Sequence, residues 1–135
     1  MPRLIPPVVG DDDRFFWDGA RRGELLLQRC APCGQLRHPP APMCPHCRSL
    51  DWDTVPSTGR GTIYSWIVSH HPSEDDTDDR VVVLVELDEG VRLVSNLVGV
   101  PWTEVRNDQA VEVLFADVDG VVLPQFRLAT PGAPR

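Results

Sequence analysis

The residues of this sequence best placed to do chemistry are four thiols in one short stretch. Cys30, Cys33, Cys44 and Cys47 are all the cysteines of the chain, arranged as two C-x-x-C pairs with ten residues between them. Such a pair can grip one metal ion from a tight turn, and two turns facing each other complete a tetrahedral S4 site. The spacing therefore predicts one structural zinc ion (Zn2+) held by Cys30, Cys33, Cys44 and Cys47. Gly34 suits a knuckle of this kind, where the backbone often needs a positive φ. Pro32 and Pro45 stiffen the turns, and Pro39, Pro40 and Pro42 keep the connecting loop out of a helix. His46, inside the second pair, could replace a cysteine as ligand, but an exposed position at the knuckle tip is the expectation.

Other uses of the thiols fit less well. Two disulfides would need an oxidising compartment, and the opening MPRLIPPVVGDDD offers no apolar run long enough for a signal peptide. A redox dithiol is usually a single C-x-x-C near a βαβ pattern, which is not seen here. Iron can occupy the same S4 set as in rubredoxin, and ligand type alone does not separate it from zinc. No aromatic residue between the two pairs would sheath a redox centre from water.

Elements that could position these thiols can be read on either side. The opening residues 1–10 are Pro-rich and extended in expectation. Asp11–Asp13 offer an N-cap and an acidic first turn to a short helix over 13–22, which Gly23 can end as the residue after the C-cap. Phe15, Phe16 and Trp17 spread over a wide arc of that helix, too wide to be buried easily on so small a module. Either they dock on the rest of the chain, or some of them meet a partner protein. Residues 24–28 read as a strand entering the first knuckle. Residues 50–55 read as the return strand, with Leu50, Trp52 and Thr54 on one face. The turn 57–61 marks the boundary to a second module.

That module reads as strands and turns. Residues 62–69 are β-branched and aromatic, and 80–87 with 91–98 form a hairpin around the turn 88–90. Residues 101–107 suit a short helix or coil. Residues 110–116 and 121–128 make a second hairpin about Asp117–Gly120. Five strands with one irregular connection after the third suit a small closed barrel such as the OB-fold. The expected organisation is an N-terminal extension and helix (1–23), a zinc ribbon (24–58), a barrel (59–128) and a frayed tail (129–135). The fold class is mainly β.

Charge narrows the function. The 135 residues carry a formal net charge of −7, and all 13 basic residues are arginine. An acidic chain is ill suited to neutralising phosphates, so general nucleic-acid binding is not expected. No segment approaches the length of a membrane span, and the cytoplasm is the expected compartment. The loop 70–79 (HHPSEDDTDD) is acidic but lacks the glycine and register of a calcium loop, and is expected to be solvated. His70 and His71 have no nucleophile near them in a recognisable catalytic motif.

With these residues placed, the chain resembles the zinc-ribbon OB-fold family associated with acyl-CoA and with thiolase-like enzymes. The resemblance runs from about Phe15 to Phe115. It rests on Phe16-Trp17, Gly23-Glu24-Leu25, the Cys30/Cys33-Gly34 and Cys44-Pro45/Cys47 knuckles, Trp52, Gly59-Arg60-Gly61, and Tyr64-Ser65-Trp66 with His70. Where that family has a glycine before its late strand, this chain has Asn107-Asp108, both tolerant of a positive φ.

The resemblance implies a short N-terminal helix, a rubredoxin-like zinc ribbon with structural zinc, and a C-terminal five-stranded OB-fold barrel. It implies a non-catalytic companion of a thiolase, a hydroxymethylglutaryl-CoA synthase or a thiolase-like aldolase, some of which cleave CoA-linked steroid side chains. The catalytic residues then lie in the partner, and this chain stabilises it and helps shape its CoA-thioester site. Partner-binding candidates are Phe15, Phe16 and Trp17. Arg60, in the turn between the modules, is the candidate for a CoA phosphate, although it also reads as a solvated turn residue. The rival function is single-stranded nucleic-acid binding, in which Tyr64 and Trp66 would share one strand face and stack on bases. A small iron electron carrier is a third reading.

Overall fold

Asp13 opens α1 (Arg14–Arg21), the one α-helix among the described residues, and Gly23 closes it. The computed structural model describes residues 7–70 and 79–129. Residues 1–6, 130–135 and most of the acidic loop lie outside the described residues, and so do the expectations for them. The acidic first turn is corrected: Asp11–Asp13 form a turn ahead of the helix, and no acid stands in its first turn. Asp13 Oδ1 accepts from the Gly10 N–H at 2.8 Å instead of capping the helix. At the other end Gly23, at φ 76°, donates to the Ala20 carbonyl while Glu24 N–H reaches back to Gly19. This is the Schellman arrangement expected of a glycine after the C-cap.

The face of α1 turned inward carries Phe16, Gly19 and Ala20, spaced as one helical stripe. A Cβ on Gly19 would lie 2.8 Å from the Leu26 side chain, so glycine is what lets the helix sit down on the next strand. That strand, β1 (Leu26–Cys30), starts two residues later than the sequence suggests, because Gly23 and Glu24 are used in ending the helix. It is the centre of a three-stranded antiparallel sheet, with β2 (Leu36–Arg37) on one side and β3 (Trp52–Pro56) on the other. β2 was not foreseen, since two residues are too few to show a period. Leu50 precedes β3 and is exposed, so it does not share an inward face with Trp52.

The second module is a closed barrel of β4 (Arg60–His70), β5 (Asp79–Leu87), β6 (Arg92–Leu97), β7 (Ala110–Val118) and β8 (Val121–Leu128), in the order β4-β5-β6-β8-β7 with β7 returning to β4. A 3-10 turn (Trp102–Glu104) lies in the irregular connection after β6. The near-continuous apolar run of β5 buries every second residue, Val81, Val83, Val85 and Leu87, as a strand on a barrel wall must. Asp119 and Gly120, both at positive φ, close the last hairpin.

One position changes the reading of β4. The pairing with β5 shifts between Ile63 and Ser65, so Tyr64 sits in a bulge. Ile63 is buried and Trp66 packs on the core, whereas Tyr64 is exposed with the Arg92 guanidinium 3.7 Å from its ring centre. The expectation that Tyr64 and Trp66 share a face is thus corrected, because the extra residue puts them on opposite sides of the wall.

Ribbon and barrel are joined by a short, well-bonded link. Glu89, in the β5–β6 turn, accepts from Ser57 Oγ at 2.7 Å and from Thr58 N–H at 2.9 Å. The two glycines that follow are sterically required. A Cβ on Gly59 would lie 2.3 Å from a Val113 methyl, and one on Gly61 would lie 2.3 Å from the Glu86 carbonyl oxygen. Phe16, Leu25 and Leu27 belong to the same apolar cluster as Ile63, Val111 and Phe126 of the barrel, so helix, ribbon and barrel share one core.

Candidate metal centre

The two C-x-x-C turns have the same backbone pattern. Cys30 accepts from Gly34 N–H at 2.8 Å and donates to the Gln35 carbonyl at 2.9 Å; Cys44 accepts from Arg48 N–H and donates to the Ser49 carbonyl, both at 2.9 Å. The residue after each pair is left-handed, Gly34 at φ 77° and Arg48 at φ 64°. Gly34 fulfils its expected role. Arg48 fills the same role in the second knuckle without a glycine to mark it.

All four Sγ atoms lie within 4.8 Å of one another. Cys30 and Cys47 approach to 3.4 Å, and Cys33 and Cys44 to 3.7 Å. A zinc–sulfur bond of about 2.3 Å places tetrahedral sulfurs ~3.8 Å apart, so this cluster fits the ion. None of the four thiols is in a disulfide. Cys30 and Cys44 are buried, whereas Cys33 and Cys47 are exposed. His46 is exposed at the knuckle and is outside the cluster, as expected.

Electrostatics within the cluster call for a cation. Backbone N–H groups of Cys47 and His46 favour the Cys44 thiolate and hold it down at about 6. The Gln35 N–H favours the Cys33 thiolate as well, yet desolvation within the cluster and hydrogen bonds with the neighbouring thiols push Cys33 up to about 12. Four sulfurs in contact cannot all ionise unaided, and a divalent ion reverses that balance. The chemistry supplied by zinc here is structural: it neutralises the thiolates and ties one knuckle to the other.

The loop between the knuckles is held by two residues the sequence did not single out. Gln28 and Arg37 are buried, and both bond the peptide groups of Ala41. Their only sequence signal is polarity at positions that turn out to face inward. On the exposed side of the sheet, Arg29 and Asp53 form a two-point ion pair at 2.8 and 2.7 Å. The hydrogen bond and charge of Arg29 hold the Asp53 carboxyl below its usual range.

Phe16, named among the partner-binding candidates, lies in the core of this chain, at 5% exposure and with its ring 5.4 Å from that of His38. Phe15 and Trp17 are half-buried, and the Phe15 ring lies 5.0 Å from Trp52. Arg60 is not a turn residue: it is the first residue of β4, opposite Glu112, and its carbonyl accepts from Asp88 N–H. His70 Nδ1 contacts Asp79 Oδ1 at 2.5 Å where β4 and β5 open. No helix among the described residues is long and apolar enough to cross a membrane.

Comparison with known proteins places the chain in a family. Residues 17–53 match the family model of the ChsH2 rubredoxin-like zinc ribbon domain, and residues 54–116 that of the ChsH2 C-terminal OB-fold domain. The chain is 46% identical over 127 residues to the probable enoyl-CoA hydratase alpha subunit of Thermomonospora curvata, covering 93% of this chain but 40% of that one. It is 30% identical over 103 residues to the benzoylsuccinyl-CoA thiolase subunit BbsA of Thauera aromatica, covering 73% of this chain and 71% of that one. The solved structure described as Ltp2-ChsH2(DUF35) aldolase contains a chain that is 45% identical, superposes with a TM-score of 0.86, and is covered to 99% by 92% of this chain. The chain therefore belongs to the ChsH2 (DUF35) family, built from a rubredoxin-like zinc ribbon followed by an OB-fold domain.

Proposed function

We propose that this chain is a non-catalytic companion subunit of a thiolase-like enzyme, a thiolase or retro-aldolase, acting on acyl-CoA. The observation that carries this reading is the diversity of its relatives. One is named for a hydratase, one for a thiolase and one for an aldolase, yet the same ribbon and barrel recur in all three. A module shared across three reactions supplies assembly and positioning, while the reacting groups belong to the partner. The committed thiols support this, since a zinc-bound S4 set has no open ligand position.

In this reading the ribbon (24–58) and barrel (59–128) form a rigid support, and Phe15 and Trp17 contribute to the partner contact. Arg60 is the cation that a CoA phosphate would meet. CoA-linked steroid side chains are the leading acyl class, on the strength of the family resemblance. The cytoplasm suits a chain whose thiols must stay reduced. The rival nucleic-acid reading loses its paired stacking platform, because Trp66 faces inward, and it meets an acidic chain.

The test is to offer a β-hydroxyacyl-CoA, including one with a steroid side chain, to this chain alone, to a thiolase-like partner alone and to the reconstituted pair. Retro-aldol cleavage by the pair, with none by this chain, is the expected outcome. Turnover by this chain alone would overturn the reading. So would tight binding of single-stranded DNA at physiological salt with no effect on any thiolase-like partner.

A further inference from the structure

Among the described residues, Arg37 is the one arginine or carboxylate that is buried, at 7% exposure; the other buried polar residues, Gln28 and Gln125, are neutral. Its Nε and Nη2 are answered by a neutral group, the Ala41 carbonyl, and its Nη1 is buried with no hydrogen-bond partner among the described residues. The more exposed Arg14, Arg21, Arg22, Arg29, Arg92 and Arg127 each have a carboxylate partner, and Arg37 has none among the described residues. A charge taken out of water without a counter-charge is costly, so a negative group is expected close by.

The ribbon sheet shows where that group forms. Alternate residues of a strand share a face, as Gln28 and Cys30 do on β1. Arg37 stands opposite Gln28 on β2. It therefore projects on the face that carries the Cys30 thiol, offset along the strand by one two-residue repeat of about 7 Å. The Ala41 carbonyl that holds its guanidinium belongs to the loop leading into Cys44, the other buried cysteine. Four thiolates outweigh one divalent ion, so the loaded centre is an anion. Other arginines of the ribbon are poor substitutes as its counter-charge. Arg29 is paired with Asp53 on the opposite face, and Arg48 is exposed to water, which weakens its field.

We propose that Arg37 is the buried counter-charge of the zinc tetrathiolate, held on the cysteine side of the sheet by Ala41 so that its field favours the loaded centre. The proposal rests on the zinc assignment and is independent of the companion-subunit reading. It makes Arg37 a positioning residue that acts on the metal by charge, beyond its grip on the loop.

Zinc affinity of the full chain, measured at one pH by competition with a chelator, separates charge from grip. Arg37→Gln keeps a donor for the Ala41 carbonyl and removes the charge, so zinc should bind about tenfold more weakly. Arg37→Lys gives up the two-point grip and keeps the charge, so its affinity should stay within about threefold of wild type. Gln28→Glu leaves Arg37 in place and can still accept from the Ala41 N–H. Its carboxylate gives Arg37 a local partner and sets a negative charge beside the cluster, so zinc should again bind about tenfold more weakly. A loss in Arg37→Lys as large as in Arg37→Gln would show that only the grip matters and would overturn the proposal. Wild-type affinity in Arg37→Gln or in Gln28→Glu would overturn it as well. Should Arg37→Gln not fold, Gln28→Glu, which keeps the bond to Ala41, decides alone. A wild-type chain that takes up no zinc would remove the metal assignment and the proposal together.

Discussion

Gln28 and Arg37 face each other across β1 and β2 and hold the two consecutive peptide groups that flank Ala41. Gln28 Oε1 accepts from Ala41 N–H at 2.9 Å, and the Arg37 guanidinium donates twice to the Ala41 carbonyl, at 3.1 and 2.8 Å. A loop of prolines cannot supply its own ladder of hydrogen bonds. These two side chains therefore fix the path from the first knuckle to the second.

Breaking that grip should loosen the metal before it unfolds the barrel. Gln28→Ala leaves the part-buried Ala41 N–H without its partner, a loss of about 1 kcal/mol. Zinc release to a colorimetric chelator should speed up severalfold, with the circular dichroism of the barrel unchanged. An unaltered release rate would show that the loop holds its course without Gln28.

The metal itself should be one zinc per chain, and its loss should be costly. Structural zinc contributes on the order of 10 kcal/mol, comparable with the stability of a whole domain. Cys→Ser at any of the four positions should depress soluble yield. Elemental analysis giving stoichiometric iron, or a folded protein without metal, would contradict the assignment.

At Gly61 the argument is steric. A Cβ there would meet the Glu86 carbonyl oxygen at 2.3 Å, so two barrel strands would have to separate. Gly61→Ala should cost upward of about 3 kcal/mol. Gly90→Ala should cost only about 1–2 kcal/mol, because its positive φ is strained but nothing lies within 4 Å of the added carbon. Urea denaturation of the two variants gives the ranking, and equal midpoints would refute it.

The bulge at Tyr64 separates two aromatic residues that the sequence places two apart. Trp66→Ala should destabilise by about 3 kcal/mol, as a core truncation does. Tyr64→Ala should cost only about 1 kcal/mol, mostly the stacked Arg92. Comparable losses in thermal denaturation would place both rings on one face.

Burial pushes the His38 imidazole down to about 4. Because the unfolded chain takes up that proton at higher pH than the folded one, the folded state is favoured fully above about pH 6.5 and loses this contribution as pH falls towards 4. His38→Phe should flatten the stability curve across that window. A parallel curve for variant and wild type would show that His38 protonates without consequence.

Much of this molecule was legible in the sequence where a local rule was strong. Cysteine spacing picked out the four thiols that cluster, Gly23 marked the helix end, and the Asp119-Gly120 pair marked the last hairpin. What escaped were features fixed only by tertiary contact. Arg48 adopts a left-handed backbone with no glycine to announce it. Gln28 and Arg37 look like surface residues until the loop folds over them. The bulge at Tyr64 is a matter of register with another strand, which alternation within β4 cannot reveal. Phe16 read as surplus apolar area because the core shared with the barrel was not visible from the helix alone.

Each knuckle contributes one buried cysteine and one exposed one: Cys30 and Cys44 are buried, Cys33 and Cys47 exposed. An oxidant or competing chelator would therefore meet the outer pair, Cys33 and Cys47, first. The inner pair comes one from each turn, so a half-stripped ion would still bridge both.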